Sequence, residues 1–308
     1  DGTRATKLLE WVHSDVVGPL NVNSFSGARF LVTFVDDFSR KVFVFPMKFK
    51  SEVFDTFVKF KKMAENQCLT KIKILRSDNG GEYVNRKFQS FFEENGIIHQ
   101  KTCPYSPEQN GVAERTNRTL MERVRCMLID SGLDHRFWAE AANTACYLMN
   151  RVPCRDNDTS PEEIWSGRRP DLKFLRVFGC PAFVHIPKEK RRKLDTKATE
   201  CIMMGYSSES KAYRLFNPEN NGIITSRDVV FLEKSKVNFN VKSDFYYPEL
   251  LQDYSGANSG EVVGDIELTP DVEARSENVD GADCESDESV YDDSIGWSSP
   301  LPQPVEDN

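Results

Sequence analysis

Three short runs near the start of the chain, residues 11–17 (WVHSDVV), 29–36 (RFLVTFVD) and 41–47 (KVFVFPM), are rich in β-branched and aromatic residues. Gly18, Pro19, Asn21 and Asn23, then Asp37 and Ser39, punctuate them as turn-formers, so the pattern predicts three successive antiparallel strands. The period then changes. Val53, Phe54, Phe57, Val58, Phe60 and Met63 recur at helical spacing, which predicts a helix over 51–66 with Ser51 as N-cap, feeding a strand at 71–75. A second helix over 86–95 closes on Gly96, and a fifth strand follows at 97–101. Three strands, then helix, strand, helix, strand, imply a mixed sheet flanked by helices.

Ser106-Pro107-Glu108-Gln109 has the form of a capping box with Pro at the first helical position, so a long helix is expected from Pro107 to Ser131. Another spans 137–151 and stops before Pro153. Beyond Pro170 short strands take over, at 177–186, 201–206, 212–216 and 223–231, with NPENNG as a hairpin loop. They suit a small β-barrel of about 60 residues, a size that folds alone only marginally. From 236 onward apolar content falls, and the tail is expected to be disordered because it has too little apolar surface to offset chain entropy. The expected organisation is therefore an α/β domain at 1–165, a β domain at 172–235 and an acidic tail at 236–308.

Charge changes this picture in one respect. The formal net charge is −8, but residues 236–308 hold 18 Asp and Glu against Lys236, Lys242 and Arg275. The remainder has 37 Lys and Arg against 30 Asp and Glu, a surplus of seven positive charges that is a modest pointer to nucleic acid. Eight cysteines are scattered with no C-x-x-C pair, which argues against a zinc knuckle or a dense disulfide framework and fits reduced thiols in an intracellular compartment. No apolar run approaches the ~18 residues of a membrane span, and no signal-peptide core opens the chain. The first residue is Asp rather than Met, so a processed product or a piece of a longer chain is expected.

Three carboxylates stand at element ends that can converge: Asp15 in the first strand, Asp78 just after the fourth, and Glu114 early in the helix expected from Pro107. Such a set can hold two divalent ions ~4 Å apart for in-line phosphoryl displacement, and Mg²⁺ suits all-oxygen ligands. Asp36, Asp37 and Glu82 compete as ligands and read as turn and surface residues, Glu82 being the strongest of the three. Arg118, Met121 and Arg125 share the helical stripe of Glu114 and suit a phosphate track, with an intrahelical Glu114–Arg118 pair as the plainer alternative. KEKRRK at 188–193, backed by Arg168 and Arg169, is a second candidate phosphate contact, against a solvated loop. His13 shares the strand face of Asp15 and reads as a packed histidine before a phosphate ligand, and Phe54, Phe57, Phe60 and Trp138 read as core.

HSDVVGPL at 13–20, RSDNGGEY at 76–83 and YSPEQNGVAERTNRTL at 105–120 resemble the D,D-35-E signature of retroviral and retrotransposon integrases, with 35 residues between Asp78 and Glu114. WAEAANTACYLMNR at 138–151 and RVFGCPAFVHIP at 176–187 resemble the copia-type branch, and the likeness covers residues 8–233. The resemblance implies an RNase H-like core followed by an SH3-like β domain, with Asp15, Asp78 and Glu114 as catalytic metal ligands for Mg²⁺ or Mn²⁺, two ions with substrate bound. It implies 3′-end processing and strand transfer of element DNA into target DNA; the expected DNA contacts, chosen by helix position and charge, are Asn110, Arg115, Arg118, Arg125, Lys190, Arg191 and Arg192. The loop Pro104–Gly111 closes over DNA in the family, and Gly111 within a helix costs ~1 kcal/mol, in keeping with retained mobility. The expected setting is a homo-oligomer in a Pol polyprotein with reverse transcriptase, not at a membrane, acting in the nucleus after assembly in cytoplasmic particles. The family's upstream zinc-binding His and Cys cluster is not in this sequence. The alternatives are an inactive or host-adopted nucleic-acid-binding or interaction relic, and a metal-dependent nuclease without strand transfer.

Overall fold

The computed structural model describes residues 4–101, 110–153 and 158–233. The three opening strands form as a meander: β1 (Trp11–Val17), β2 (Phe30–Asp36) and β3 (Val42–Met47), each antiparallel to the next. α1 (Val53–Cys68) crosses back to β4 (Ile74–Ser77), and α2 (Arg86–Asn95) leads to β5 (Ile98–Lys101); both new strands run parallel to β1. The sheet order is β3-β2-β1-β4-β5, so β1 lies at its centre and β4 beside it.

Period-two alternation sorts each strand between the two faces of this sheet. Val32 and Phe34 of β2 enter the cluster with Phe57 and Phe60 of α1 and Phe88 and Phe92 of α2. Leu31 and Val35 enter the opposite one, built from α3 (Gly111–Ser131) and α4 (Trp138–Met149). The chain thus forms a mixed five-stranded sheet covered by helices on both faces, the RNase H-like arrangement.

Several boundaries differ from those expected. Ser51 lies in a 3-10 turn, and Glu52 is the N-cap of α1 without a side-chain cap. α3 starts at Gly111 with Asn110 as N-cap, so Gly111 opens the helix instead of interrupting it; the capping box at Ser106–Gln109 lies outside the described residues. α2 ends on Gly96 in the left-handed region, as its place after the last apolar residue predicts. A further helix, α5 (Pro161–Ser166), was not anticipated, although Ser160-Pro161-Glu162-Glu163 carries the same start signal and Ser160 Oγ accepts the Glu163 N–H.

The second sheet runs β10-β6-β7-β8-β9, all antiparallel, from β6 (Pro181–His185), β7 (Ala198–Tyr206), β8 (Tyr213–Asn217), β9 (Gly222–Ser226) and β10 (Val229–Phe231). The single strand expected over 223–231 is divided at Arg227 and Asp228. This sheet does not rest on its own small core alone. Ile202, Met204 and Phe216 belong to the same buried cluster as Leu120, Trp138 and Ala142 of the helices, and Phe25, Phe137 and Phe216 form an aromatic triangle with centroids 4.9 to 5.7 Å apart. Both sheets belong to one compact unit. The tail from 236 lies outside the described residues.

Candidate active site

The register of β1 against β4 pairs His13 with Arg76, so two residues further on Asp15 and Asp78 stand side by side at the same end of two adjacent parallel strands. Asp15 shares its face with Val17, the face that α3 covers. The buried stripe of α3 is Ala113, Asn117, Leu120, Val124 and Leu128, at helical spacing. Asn117 is the one polar residue among the five. Its Nδ2 donates to Asp15 Oδ2 at 2.9 Å, while the Val16 N–H is 2.8 Å from Oδ1. Glu114 lies on the exposed side of α3, one turn before Asn117.

Burial is the largest influence on Asp15 and pushes its carboxyl above the ordinary range; the two hydrogen bonds oppose this, and the negative charges of Asp78 and Glu114 add to the rise. Asp15 is therefore within electrostatic reach of both other carboxylates. Asp78 Oδ1 accepts the Gly80 N–H at 3.0 Å.

The turn after Asp78 is braced. Tyr83, 1% exposed, hydrogen-bonds through its hydroxyl to Ser14 Oγ, next to Asp15. Glu82, the competing ligand, is instead paired with Lys50 at 2.7 Å, its side chain almost covered. On the other side of the same strand end, Ser77 Oγ bonds His99 Nε2 and the Asp78 carbonyl, each at 2.9 Å. Desolvation, with a lesser push from Lys101, lowers His99 to about 4.

Asp36 and Asp37, expected as surface turn residues, are buried. Asp36 accepts from Ser39 and from the Leu9 N–H, and Asp37 from His13, Arg40 and the Ala5 N–H. Their oxygens are committed to pinning the chain start onto the β2–β3 turn, which removes them as ligand candidates. His13 Nε2 to Asp37 Oδ1 is 2.9 Å and His13 is fully buried, so it is a packed histidine.

Among the expected DNA contacts, Arg115, Arg118 and Arg125 are exposed on α3, and Glu114 forms no ion pair with Arg118 among the described residues. Lys190 and Arg192 are exposed and Arg191 half-buried, on the connection between β6 and β7. Asn110 is 2% exposed, with its Oδ1 unpartnered among the described residues, so it faces inward at the start of α3 instead of presenting itself to solvent. All but Gly111 and Asn110 of the loop expected to close over DNA lies outside the described residues. The sequence reading missed Asn117 and Tyr83. A polar residue falling on an apolar stripe was the available signal for Asn117; for Tyr83 there was none, because its partner is 69 residues away.

Among the described residues no three His, Cys, Asp or Glu side chains are gathered closely enough to hold a metal ion as they stand. The donor set nonetheless fits a hard divalent cation in its chemistry: carboxylate oxygens only, with Asp15 raised chiefly by burial and further by its acidic neighbours, a repulsion that a cation relieves. The five described cysteines are free thiols, and no described helix is long and apolar enough to cross a membrane.

A family model described as an integrase core domain matches residues 5–107, and one described as a retroviral polymerase SH3-like domain matches residues 180–245. The chain is 48% identical over 231 residues, 75% of its length, to the retrovirus-related Pol polyprotein from transposon TNT 1-94 of Nicotiana tabacum. It is 36% identical over 244 residues, 78% of its length, to that from transposon RE2 of Arabidopsis thaliana. It spans 17% of the length of each of these relatives. Among solved structures it is similar to the HTLV-2 integrase catalytic core domain in complex with magnesium, at 21% identity and a TM-score of 0.42, covering 53% of this chain and 99% of that one.

An integrase core followed by a retroviral SH3-like domain defines an integrase-type protein. The chain belongs to the integrase family, in the copia-type retrotransposon branch found in Pol polyproteins.

Proposed function

We propose that this chain is the catalytic and β-domain part of an integrase that processes the 3′ ends of element DNA and joins them to target DNA. What supports this reading is the strand register that sets Asp15 beside Asp78, together with the bond by which Asn117 holds Asp15 from the helix that bears Glu114 and the influence of both other carboxylates on Asp15. Asp15, Asp78 and Glu114 are the residues that would hold Mg²⁺ or Mn²⁺. Bound there, the ions supply charge stabilisation to the attacking and leaving oxygens.

In the joining step the 3′-hydroxyl oxygen of the element strand attacks a phosphorus of the target. A new phosphodiester forms, the target's P–O3′ bond breaks, and the target's 3′ oxygen leaves to be protonated; no outside energy source is consumed. The residues' task is electrostatic and positional. Asn117 fixes the orientation of Asp15, the Ser14–Tyr83 bond holds the Asp78 turn against β1, and Arg115, Arg118 and Arg125 line the exposed side of α3 where phosphates pass. Oligomerisation and action in the nucleus follow from the same reading, since concerted joining of two ends needs two active sites.

The test is an oligonucleotide joining assay with Mn²⁺, a pre-recessed 3′-hydroxyl end, and Glu114→Gln as control. Joined product that disappears in the control is expected. A folded chain that binds DNA yet never joins it, across end sequences from related elements, overturns the catalytic reading in favour of a binding relic; cleavage without joining indicates a nuclease.

A further inference from the structure

A second cationic site lies at the junction of the two sheets, away from the carboxylates. A cleft of about 270 Å³ is lined by Tyr147 and Arg151 at the end of α4, by Arg168 and Arg169 after α5, and by Tyr206 and Lys211 of the β7–β8 hairpin. Sheet register places it at the far end from Asp78. Asn150 and Glu162 anchor α4 and α5 to Val42 and Lys41 at the start of β3, and β2 pairs that end with Val12 of β1. From Asp15 back to Trp11 is four residues, or about 13 Å along the strand at ~3.3 Å each.

The cleft is both preorganised and positive. The Arg151 guanidinium lies 3.3 Å over the Tyr147 ring, whose other face stacks on Tyr206 at 3.9 Å, and Arg151 Nη1 donates to the Tyr147 carbonyl. Lys211 is held 3.6 Å over the Phe174 ring. The two carboxylates at the cleft are already committed: Glu162 to Lys41 at 2.7 Å and, more distantly, Arg151; Asp171 to the Lys173 N–H. Arg168 and Arg169 are exposed and in no ion pair among the described residues. The aromatic faces are spent on internal stacking, so they hold the cations in place and leave little surface for stacked bases.

We propose that this inter-sheet cleft binds the phosphodiester backbone of a single nucleic-acid strand, at a site separate from the carboxylate centre. Forked guanidinium groups match phosphate oxygens bidentately, and a cleft of about 270 Å³ has room for one strand's backbone but not for a duplex. The site exists only while the β domain is docked on α4, so an occupying strand also ties the two sheets together. The choice of nucleic acid over an acidic peptide rests on the function proposed above.

The experiment measures binding of a short fluorescein-labelled oligothymidylate to the full chain in EDTA over a salt series. The double variant Arg168→Ala/Arg169→Ala is compared with Lys59→Ala/Lys62→Ala, which removes the same charge from the exposed side of α1. The cleft variant is expected to bind roughly tenfold more weakly, with its log-log salt slope shallower by about 1.4, the value for two lost phosphate contacts on a single strand, and the α1 variant to match the unmodified chain. Equal losses in both variants, or none in either, overturn the site. So does binding of polyglutamate that depends on Arg168 and Arg169 while the oligonucleotide does not, which makes the cleft a dock for an acidic protein. Should the cleft variant melt early, photocross-linking of a 5-iodouracil oligonucleotide to the unmodified chain replaces it: cross-links within the lining segments 147–151, 166–174 or 206–213 are expected, and cross-links confined to other segments overturn the site. A chain that joins DNA normally but fails these tests loses only this assignment; one that neither joins nor binds DNA loses the proposed function as well.

Discussion

Asn117 Nδ2 sits 2.9 Å from Asp15 Oδ2, a hydrogen bond across 102 residues of sequence that ties the long helix α3 to the central strand β1 at the carboxylate end of the sheet. It fills a core position of α3, where an apolar side chain would pack as well and leave Asp15 without its donor. Asn117→Leu should therefore keep or raise the melting temperature while joining activity falls by roughly tenfold or more, about the worth of one charge-assisted hydrogen bond. Initial joining rates beside a thermal melt check this; equal loss of both properties would make Asn117 merely structural.

Ser14 and Tyr83 are both buried and satisfy each other. Tyr83→Phe strands the Ser14 hydroxyl and should cost about 1–3 kcal/mol, whereas adding Ser14→Ala to it should recover part of that loss, because both polar groups are then gone. Urea unfolding of the two singles and the double closes this cycle.

Gly205, with φ at +152°, lies where β7 passes against α4; a Cβ there would come within 2.5 Å of Thr144 Oγ1. That hydroxyl already donates to the Met204 carbonyl at 2.8 Å. Gly205→Ala is expected to destabilise the chain by about 2 kcal/mol or more, through both the clash and the disfavoured backbone conformation. A denaturant melt measures it, and a neutral result would show that α4 and β7 slide apart freely.

His99 has a folded-state pKa of about 4 against an ordinary 6.5. The unfolded chain thus binds the extra proton first, and stability rises with pH between these values: it is lost as pH falls from about 6.5 toward 4 and is fully present above that window. After allowance for partial exposure the contribution is roughly 1–2 kcal/mol. His99→Gln should flatten this part of a stability-versus-pH curve; an unchanged slope would assign it to other groups.

Much of the site was legible in the chain because its parts are local. Strand ends at Asp15 and Asp78 follow from short-range alternation and turn residues, and the early-helix place of Glu114 from the α3 pattern. Helix starts were less legible: Glu52 and Asn110 act as N-caps without a side-chain hydrogen bond, so no capping residue marked them.

The sequence by itself determined the elements, the strand alternation that turns Asp15 toward one face, and the spacing that makes the three carboxylates recognisable as a set. Tertiary structure alone decided which of the competing carboxylates are drawn into ion pairs and turn contacts elsewhere. Asp36, Asp37 and Glu82 are equivalent to Asp15 in the chain, yet the first two are consumed by amides, a hydroxyl, His13 and Arg40 around the β2–β3 turn, and the third by Lys50. It also decided that the second sheet shares its core with α4, which makes a cleft at their junction. The physical reason is the same in both cases: a hydrogen bond or an apolar contact is fixed by distance in space, and its partners here lie tens of residues apart, beyond the reach of any local period.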